Sequence, residues 1–173
     1  MEKKFTIDQK SLLSLLSSMQ PICSKRTAID ATSSILFQVG HKELILKSTD
    51  LEISLQSSCS LIESSFGEPE SFLVPGRRIF DVVKELQGPI YCSLTKQQLN
   101  LQSSSFSLSL NIKEAEEFPA FPERIENLMH LDANVLLSML ESVVFLIPQN
   151  NANPALNGLF LEIKDNYRYH VLC

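Results

Sequence analysis

The chain has 173 residues, of which 44% are apolar and 20% charged, with a net charge of −5. That length suits one domain, or one domain plus part of another, and it can bury a core without disulfides. The cysteine spacing argues against a zinc site, and the glycine positions form no nucleotide-phosphate loop. No stretch has the pattern of a secretory signal or the length of a membrane span. The acidic charge argues against a generally basic nucleic-acid binder, but it permits a local basic patch.

The first predicted unit starts with a strand that leads directly into a helix. Phe5-Thr6-Ile7 alternates like a strand, and Asp8 stands where a helix N-cap belongs. Apolar residues then recur at helical spacing, at Leu12, Leu15, Leu16 and Met19. Further strands are predicted over residues 35–39, 44–46 and 51–61, the first two joined by a short polar turn.

The same pattern returns after shifts of 67 and 124 residues. In the second unit, a strand over 72–74 precedes Pro75, a helix and strands over 90–94, 99–101 and 106–110. The apolar helix positions there are Ile79, Phe80, Val82, Val83 and Leu86.

A third unit starts at 129–131, has its cap at Asp132 and continues to strands over 159–163 and 167–172. Its helical stripe is Leu136, Met139, Leu140 and Val143. The repeat is β-α-β-β-β with antiparallel hairpins, which predicts an α+β fold.

These units predict a domain organisation in three segments. Residues 1–112 hold two units and form a first domain, 113–127 form an acidic linker with two prolines, and 128–173 begin a second domain. The linker has five acidic and two basic residues, so the rest of the chain is nearly neutral. Half a domain would leave a sheet edge and a helix face uncovered. We therefore expect this chain to be a piece of a longer protein.

Six local motifs carry a resemblance to a known family. They are Lys4-Phe5-Thr6-Ile7 with Leu12-Leu13, Ser48-Thr49-Asp50-Leu51-Glu52, Val74-Pro75-Gly76-Arg77-Arg78, Phe106-Ser107-Leu108, Glu117-Phe118-Pro119 and Leu156-Asn157-Gly158. In this order and spacing the chain resembles the bacterial sliding clamp, the beta subunit of DNA polymerase III. The likeness covers the family's first domain and about half of its second, and a third domain is absent. It implies a DNA clamp fold, with helices packed on antiparallel sheets.

The resemblance also implies a function. Family members are non-catalytic, cytoplasmic processivity factors that encircle duplex DNA of any sequence and tether the replicative polymerase. Full-length subunits pair head to tail into a homodimeric ring. Their partners include the polymerase III alpha subunit, the clamp loader and other proteins with a clamp-binding motif, and no cofactor, metal or membrane is implied. The alternative is a divergent clamp-like protein-interaction module that closes no ring on DNA.

Candidate DNA-binding residues follow from charge and from the resemblance. Basic residues gather on the first two predicted helices and adjoining loops, at Lys10, Lys25, Arg26, Arg77, Arg78 and Lys84. The resemblance implies DNA contacts for Arg26 and Arg77, with Lys10 and Lys25 in the same lining; the alternative is ordinary surface charge. A loop over 148–155 also matches a DNA-facing loop, which makes Gln149, Asn150 and Asn153 candidates. Relatives carry a cation and aromatic residues there that this chain lacks.

The resemblance places protein contacts at four further residues. Arg78, Phe106 and Leu108 match positions at the subunit interface, although Phe106 and Leu108 could equally face the domain's own core. Ser103 and Ser105 stand where many relatives have arginines, so we expect the interface to depend less on charge pairs. Leu156 matches one wall of the pocket for partner peptides, and the alternative is a core residue before a strand.

Overall fold

A computed structural model describes residues 3–23, 29–104, 106–122, 131–148, 151–164 and 168–172. The chain divides into two units, Met1–Pro122 and Glu123–Cys173. The first unit contains both complete repeats, and the second contains the incomplete one.

The first repeat consists of a strand, a helix and a run of antiparallel strands. Its elements are β1 (Lys3–Asp8), α1 (Gln9–Cys23), β2 (Ser34–Val39), β3 (Glu43–Thr49), β4 (Ser54–Ser60) and β5 (Glu63–Ser64). As predicted, Asp8 caps α1: its Oδ2 accepts hydrogen bonds from the Ser11 backbone N–H and the Ser11 hydroxyl, both at 3.0 Å. These two bonds hold the pKa of the Asp8 carboxyl below its ordinary value.

The second repeat reproduces this order. Its elements are β6 (Glu70–Pro75), α2 (Gly76–Glu85), β7 (Pro89–Leu94), β8 (Gln98–Ser103), β9 (Phe106–Asn111) and β10 (Lys113–Glu114). The boundary between β6 and α2 falls 67 residues after the boundary between β1 and α1. The buried helix positions also correspond, Leu12, Leu16 and Met19 matching Ile79, Val83 and Leu86. The predicted repeat is therefore confirmed.

Each sheet combines strands from both repeats. Sheet I has the order β5-β1-β7-β8-β9, and sheet II has the order β10-β6-β2-β3-β4; both are antiparallel. The first strand of each repeat thus pairs with the other repeat: Phe5 lies opposite Cys92, and Phe72 lies opposite Phe37. Neither repeat can complete its sheet alone, so we infer that the two fold as one cooperative unit.

The two helices pack antiparallel to each other and contribute to one core with the sheets. At one end of the pair, Gln9 Nε2 donates a hydrogen bond of 2.9 Å to the Val83 carbonyl. At the other end, Gly76 packs against Cys23. Helices packed on antiparallel sheets in β-α-β-β-β repeats confirm the predicted α+β fold class.

One predicted strand starts later than expected. Alternation placed a strand over 51–61, but β4 begins at Ser54, because residues 50–53 form a turn. Asp50 Oδ1 accepts hydrogen bonds from the backbone N–H groups of Glu52 (3.1 Å) and Ile53 (2.7 Å). Side-chain bonds of this kind compete with strand pairing, and apolar periodicity does not detect them.

This turn holds Leu51 in a strained backbone conformation, with φ at 77°. We expect Leu51→Gly to raise the free energy of unfolding by about 0.5–1 kcal/mol, because glycine relieves the left-handed strain and little apolar burial is lost. Urea denaturation measures the change. Ile53→Gly is the control, since Ile53 is equally exposed but lacks a positive φ. A loss of stability in Leu51→Gly would contradict the prediction.

The first unit extends beyond the predicted boundary at residue 112. β10 pairs with β6, with Lys113 opposite Leu73. The rings of Phe118 and Phe121 stack at 6.5 Å, and Lys47 Nζ lies 5.2 Å from the Phe121 ring. The first part of the segment predicted as a linker is therefore folded onto sheet II.

The second unit contains one helix and one hairpin among its described residues. They are α3 (Ala133–Glu141), β11 (Phe160–Lys164) and β12 (Arg168–Leu172). Asp132 caps α3 as predicted, accepting hydrogen bonds from the backbone N–H groups of Asn134 and Val135. Met129 and His130, the first two residues of the predicted strand over 129–131, lie outside the described residues. Large apolar side chains are exposed at Val135, Leu137, Phe145, Leu146, Leu156, Phe160 and Leu161.

Across the described ranges, none of the three α-helices has both the length and the apolar character required to cross a membrane.

Candidate nucleic-acid interface

The exposed sides of α1 and α2 form a surface that carries most of the predicted basic candidates. We call it the helical surface and define it by eight exposed residues. They are Lys10, Ser14, Ser17, Arg77, Arg78, Asp81, Lys84 and Glu85. These positions lie opposite the buried stripes of their helices, because the stripes face the sheets.

The helical surface is positively charged although the chain is acidic. Its four cations outnumber its two carboxylates, and α1 contains no acidic residue. The antiparallel packing distributes the cations over both ends of the helix pair. Lys10 and Lys84 lie at the end of the pair where Gln9 bonds Val83, because they are the next residues along the chain. Arg77 and Arg78 come directly after Gly76 and therefore lie at the opposite end. A local surplus of this kind attracts polyanions even when the net charge is negative.

Arg77 is accessible to a ligand. Its Nε lies 4.0 Å from Asp81 Oδ2, and the two side chains are 84% and 65% exposed. Exposed pairs at this separation contribute little, so Asp81 does not neutralise the guanidinium. Arg77 and Arg78 stand in the first turn of α2, where the helix dipole is positive, and they add to its field.

The exposed side of α1 carries one cation, Lys10, which is followed by serines. The Ser17 hydroxyl donates to the Leu13 carbonyl at 2.7 Å, and the Ser18 hydroxyl donates to the Leu15 carbonyl at 2.8 Å. These hydroxyl protons are occupied within the helix. The helical surface therefore combines four cations with a Ser17 hydroxyl whose proton is already bonded within α1.

The other predicted DNA contacts are placed only in part. Lys25, Arg26, Gln149 and Asn150 lie outside the described residues. Asn153 belongs to the second unit, where its Oδ1 accepts a hydrogen bond from Ala155 N at 3.2 Å and caps the short 3₁₀ helix Pro154–Asn157. This amide therefore shapes its own loop, which sequence reasoning did not anticipate.

Neighbouring asparagines stabilise the same loop. Asn151 Oδ1 accepts from Asn153 N at 2.9 Å. Asn157 Oδ1 accepts from Asn151 N at 2.9 Å, and Asn157 Nδ2 donates to the Asn151 carbonyl at 3.1 Å. Leu156 lies within this loop and is 51% exposed, so its side chain is available for a contact.

The predicted interface residues lie at the edge of sheet I. Phe106, Leu108 and Leu110 point to the helix side of β9, with Leu110 buried, Leu108 half-buried and Phe106 exposed. Leu108 packs against the core of its own domain, which was the alternative to an interface role. Phe106 is not part of that core. Arg78 is exposed on α2.

The three described cysteine thiols are shielded from solvent to different degrees. Burial raises the pKa of the Cys23, Cys59 and Cys92 thiols, which keeps them protonated and poorly nucleophilic. Within the described ranges, no three histidine, cysteine, aspartate or glutamate side chains cluster so as to hold a metal ion.

Comparison with known proteins identifies similar sequences. A family model described as the DNA polymerase III beta subunit, N-terminal domain, matches residues 3–122. The beta sliding clamp of Pseudomonas putida is 28% identical over 165 residues, which cover 94% of this chain and 44% of that protein.

Solved structures agree with the sequence match. The sliding clamp of Pseudomonas aeruginosa bound to griselimycin has a TM-score of 0.84 and 26% identity, covering 94% of this chain and 44% of that one. The Helicobacter pylori beta clamp bound to a DNA ligase peptide has a TM-score of 0.81 and 23% identity, covering 92% and 45% of the two chains. The present chain spans less than half the length of each of these relatives.

Proposed function

The chain belongs to the DNA polymerase III beta subunit family, and from that membership we propose that it acts within a sliding clamp. The complete subunit pairs head to tail with a second copy, encircles duplex DNA and tethers the replicative polymerase as a processivity factor. It catalyses no reaction and works in the cytoplasm. The observation that carries this proposal is the positive helical surface on an otherwise acidic chain.

The charge distribution suits a ring that slides. A closed ring is held on DNA by topology, so it needs no base-reading residues. Tight phosphate contacts would slow movement, because each must be broken at every step. Four cations lie on the exposed sides of the two helices, and the Ser17 and Ser18 hydroxyl protons on α1 are bonded within the helix. This arrangement provides attraction without a fixed register. Phosphates repeat identically in every sequence, so the attraction is independent of sequence.

We assign the other predicted residues to this function as follows. Lys10, Lys25, Arg26 and Arg77 line the DNA side of the first domain, and Gln149, Asn150 and Asn153 lie on the DNA side of the second. Arg78, Phe106 and Leu108 contribute to the subunit interface. Leu156 forms one wall of the pocket for the polymerase III alpha subunit, the clamp loader and other proteins with a clamp-binding motif. The Helicobacter pylori clamp, which has this fold, is bound to a DNA ligase peptide, which supports partner-peptide binding as a role of the complete subunit.

Charge reversal on the DNA side tests the proposal. We expect Arg26→Glu with Arg77→Glu, in the complete subunit, to lower retention on nicked circular DNA about tenfold, because two attractive charges become repulsive. Gel filtration after loading by the clamp loader measures retention. The matched control is Lys42→Glu with Lys96→Glu, which reverses two exposed lysines in hairpin turns away from the helices. Unchanged retention of the arginine variant would show that these residues are only surface charges.

Light scattering on the same proteins separates ring closure from DNA attraction. The arginine variant and its control are both expected to remain dimers, because Arg77 and Arg26 are not assigned to the interface. A monomeric unmodified subunit would instead favour the clamp-like interaction module. The relatives described above are sliding clamps, and they do not favour that alternative.

A further inference from the structure

The two repeats form the same kind of recess twice. The first recess has a volume of about 550 Å³ and lies between β1, the β2–β3 turn and the chain that follows β4. It is lined by residues 4–6, 41–42 and 61–65. The second recess has a volume of about 520 Å³ and lies between β6, the β7–β8 turn and the chain that follows β9. It is lined by residues 70–72, 94–97 and 112–117.

Backbone hydrogen bonds hold the walls of both recesses in the same way. In the first recess, the Leu61 N–H donates to the Lys42 carbonyl at 2.8 Å. In the second, the Ile112 N–H donates to the Gln97 carbonyl at 3.0 Å. Leu61 and Ile112 are the first residues after β4 and β9, so each bond ties the departing chain to the neighbouring hairpin turn. The two recesses therefore share a backbone, and their side chains determine what each can bind.

The side chains give the two recesses opposite charge. Two exposed lysines, Lys4 and Lys42, line the first recess together with the exposed His41. Glu63 is the one acidic residue among the described residues that line it. The described lining of the second recess has four glutamates and two lysines. The first recess therefore has a surplus of positive charge, and the second has a surplus of negative charge.

The first recess also presents an apolar side chain beside its lysines. Ile62 is 54% exposed and directly follows Leu61, which packs against the core. The residue that directly follows Ile112 in the second recess is Lys113, and its Nζ lies 3.6 Å from Glu117 Oε2. The second recess thus has an ion pair where the first offers an apolar contact. Covering an exposed isoleucine removes apolar surface from water and stabilises a complex.

We propose that the first recess binds an acidic segment of a partner protein, which packs an apolar side chain on Ile62 and places aspartate or glutamate beside Lys4 and Lys42. Charge complementarity selects this occupant, because a basic segment would meet two like charges. The exposed Ile62 favours a peptide over nucleic acid, since an aliphatic side chain offers nothing to a phosphate. The first recess is separate from the helical surface and from Leu156, so this partner site is additional to the proposed function.

Peptide binding to the 173-residue chain tests the proposal. The probes are two short peptides, each with a central leucine, flanked by aspartates in one and by lysines in the other. We expect NMR titration to show about tenfold tighter binding of the aspartate peptide and a smaller preference at high salt. The amide shifts are expected at residues 4–6, 41–42 and 61–65. The second recess provides an internal control, because the aspartate peptide is expected to leave residues 112–117 unshifted.

Charge reversal tests the two lysines. Lys4→Glu with Lys42→Glu is expected to reverse the preference between the peptides, because the surplus of charge in the first recess then becomes negative. The matched control is Lys96→Glu with Lys113→Glu, which reverses two exposed lysines that line the second recess. This control is expected to keep the preference for the aspartate peptide. Amide spectra of the variants establish that each remains folded.

A separate substitution tests the apolar contact. We expect Ile62→Ser to weaken binding of the aspartate peptide about fivefold, because less apolar surface is removed from water on binding. Ile53→Ser is the control, since Ile53 is 51% exposed and does not line the first recess. The control is expected to bind the peptide as tightly as the unmodified chain.

Several outcomes would overturn the inference. They are absence of binding by either peptide, equal affinities, a preference for the lysine peptide, or an unchanged preference in the Lys4 and Lys42 variant. Shifts in the first recess on addition of a short DNA duplex, with no response to either peptide, would assign it to nucleic acid instead. If the inference fails while the complete subunit is retained on circular DNA, the proposed function stands. Loss of that retention with the peptide preference intact would count against the proposed function alone.

Discussion

Phe37→Ala is expected to lower the free energy of unfolding of the first unit by about 3–5 kcal/mol. Phe37 is 1% exposed, and its ring stacks on Phe72 with centroids 5.7 Å apart. The two residues are direct partners across β2 and β6, where the first repeat pairs with the second. The substitution therefore leaves a cavity at the junction of the repeats. Urea denaturation followed by circular dichroism measures the loss.

The control for this substitution is another aromatic residue in the same unit. Tyr91 lies on β7 and is 56% exposed, so Tyr91→Ala removes a ring of similar size without opening a cavity. We expect Tyr91→Ala to cost less than about 1 kcal/mol. Similar losses for the two variants would contradict the placement of the core between the repeats.

Gly76→Val is expected to destabilise the first unit by about 3 kcal/mol. A Cβ at this position would overlap Cys23 Sγ, and it would lie 3.1 Å from Cys23 Cβ and 3.2 Å from the Ser33 carbonyl oxygen. The start of α2 meets the end of α1 too closely for a side chain, so one helix has to shift. Thermal unfolding monitored by circular dichroism detects the change.

A second glycine provides the control. A Cβ built on Gly67 meets nothing within 4 Å, and its backbone has no positive φ. Gly67→Val is expected to change stability by less than about 0.5 kcal/mol. Adding Cys23→Ala to Gly76→Val should recover part of the loss, because it removes the overlapping sulfur. If that second substitution gives no recovery, the close helix contact is not the cause.

The repeat could be predicted from sequence because its signals are local. Asp8 and Asp132 cap their helices through hydrogen bonds to residues two or three positions away. The buried stripe of α1 follows from helical spacing, and the same spacing places Lys10 on the exposed side. Such features depend on neighbouring residues, which a single sequence contains in full.

Strand pairing could not be predicted in the same way. Alternation in Phe5-Thr6-Ile7 indicates a strand, but it does not determine that β1 pairs with β7 of the other repeat. The Asp50 turn and the attachment of Phe118 and Phe121 to the first unit also depend on side-chain contacts.

Retention on circular and linearised DNA tests the central claim most directly. The complete subunit is loaded onto nicked circular DNA by the clamp loader, and half of the sample is then cut with a restriction enzyme before gel filtration. A ring held by topology stays with the circle and slides off the ends of the linear form, whereas a protein held by phosphate contacts remains on both. The proposed function predicts retention on circular DNA and loss after linearisation. Equal retention on the two forms would contradict it.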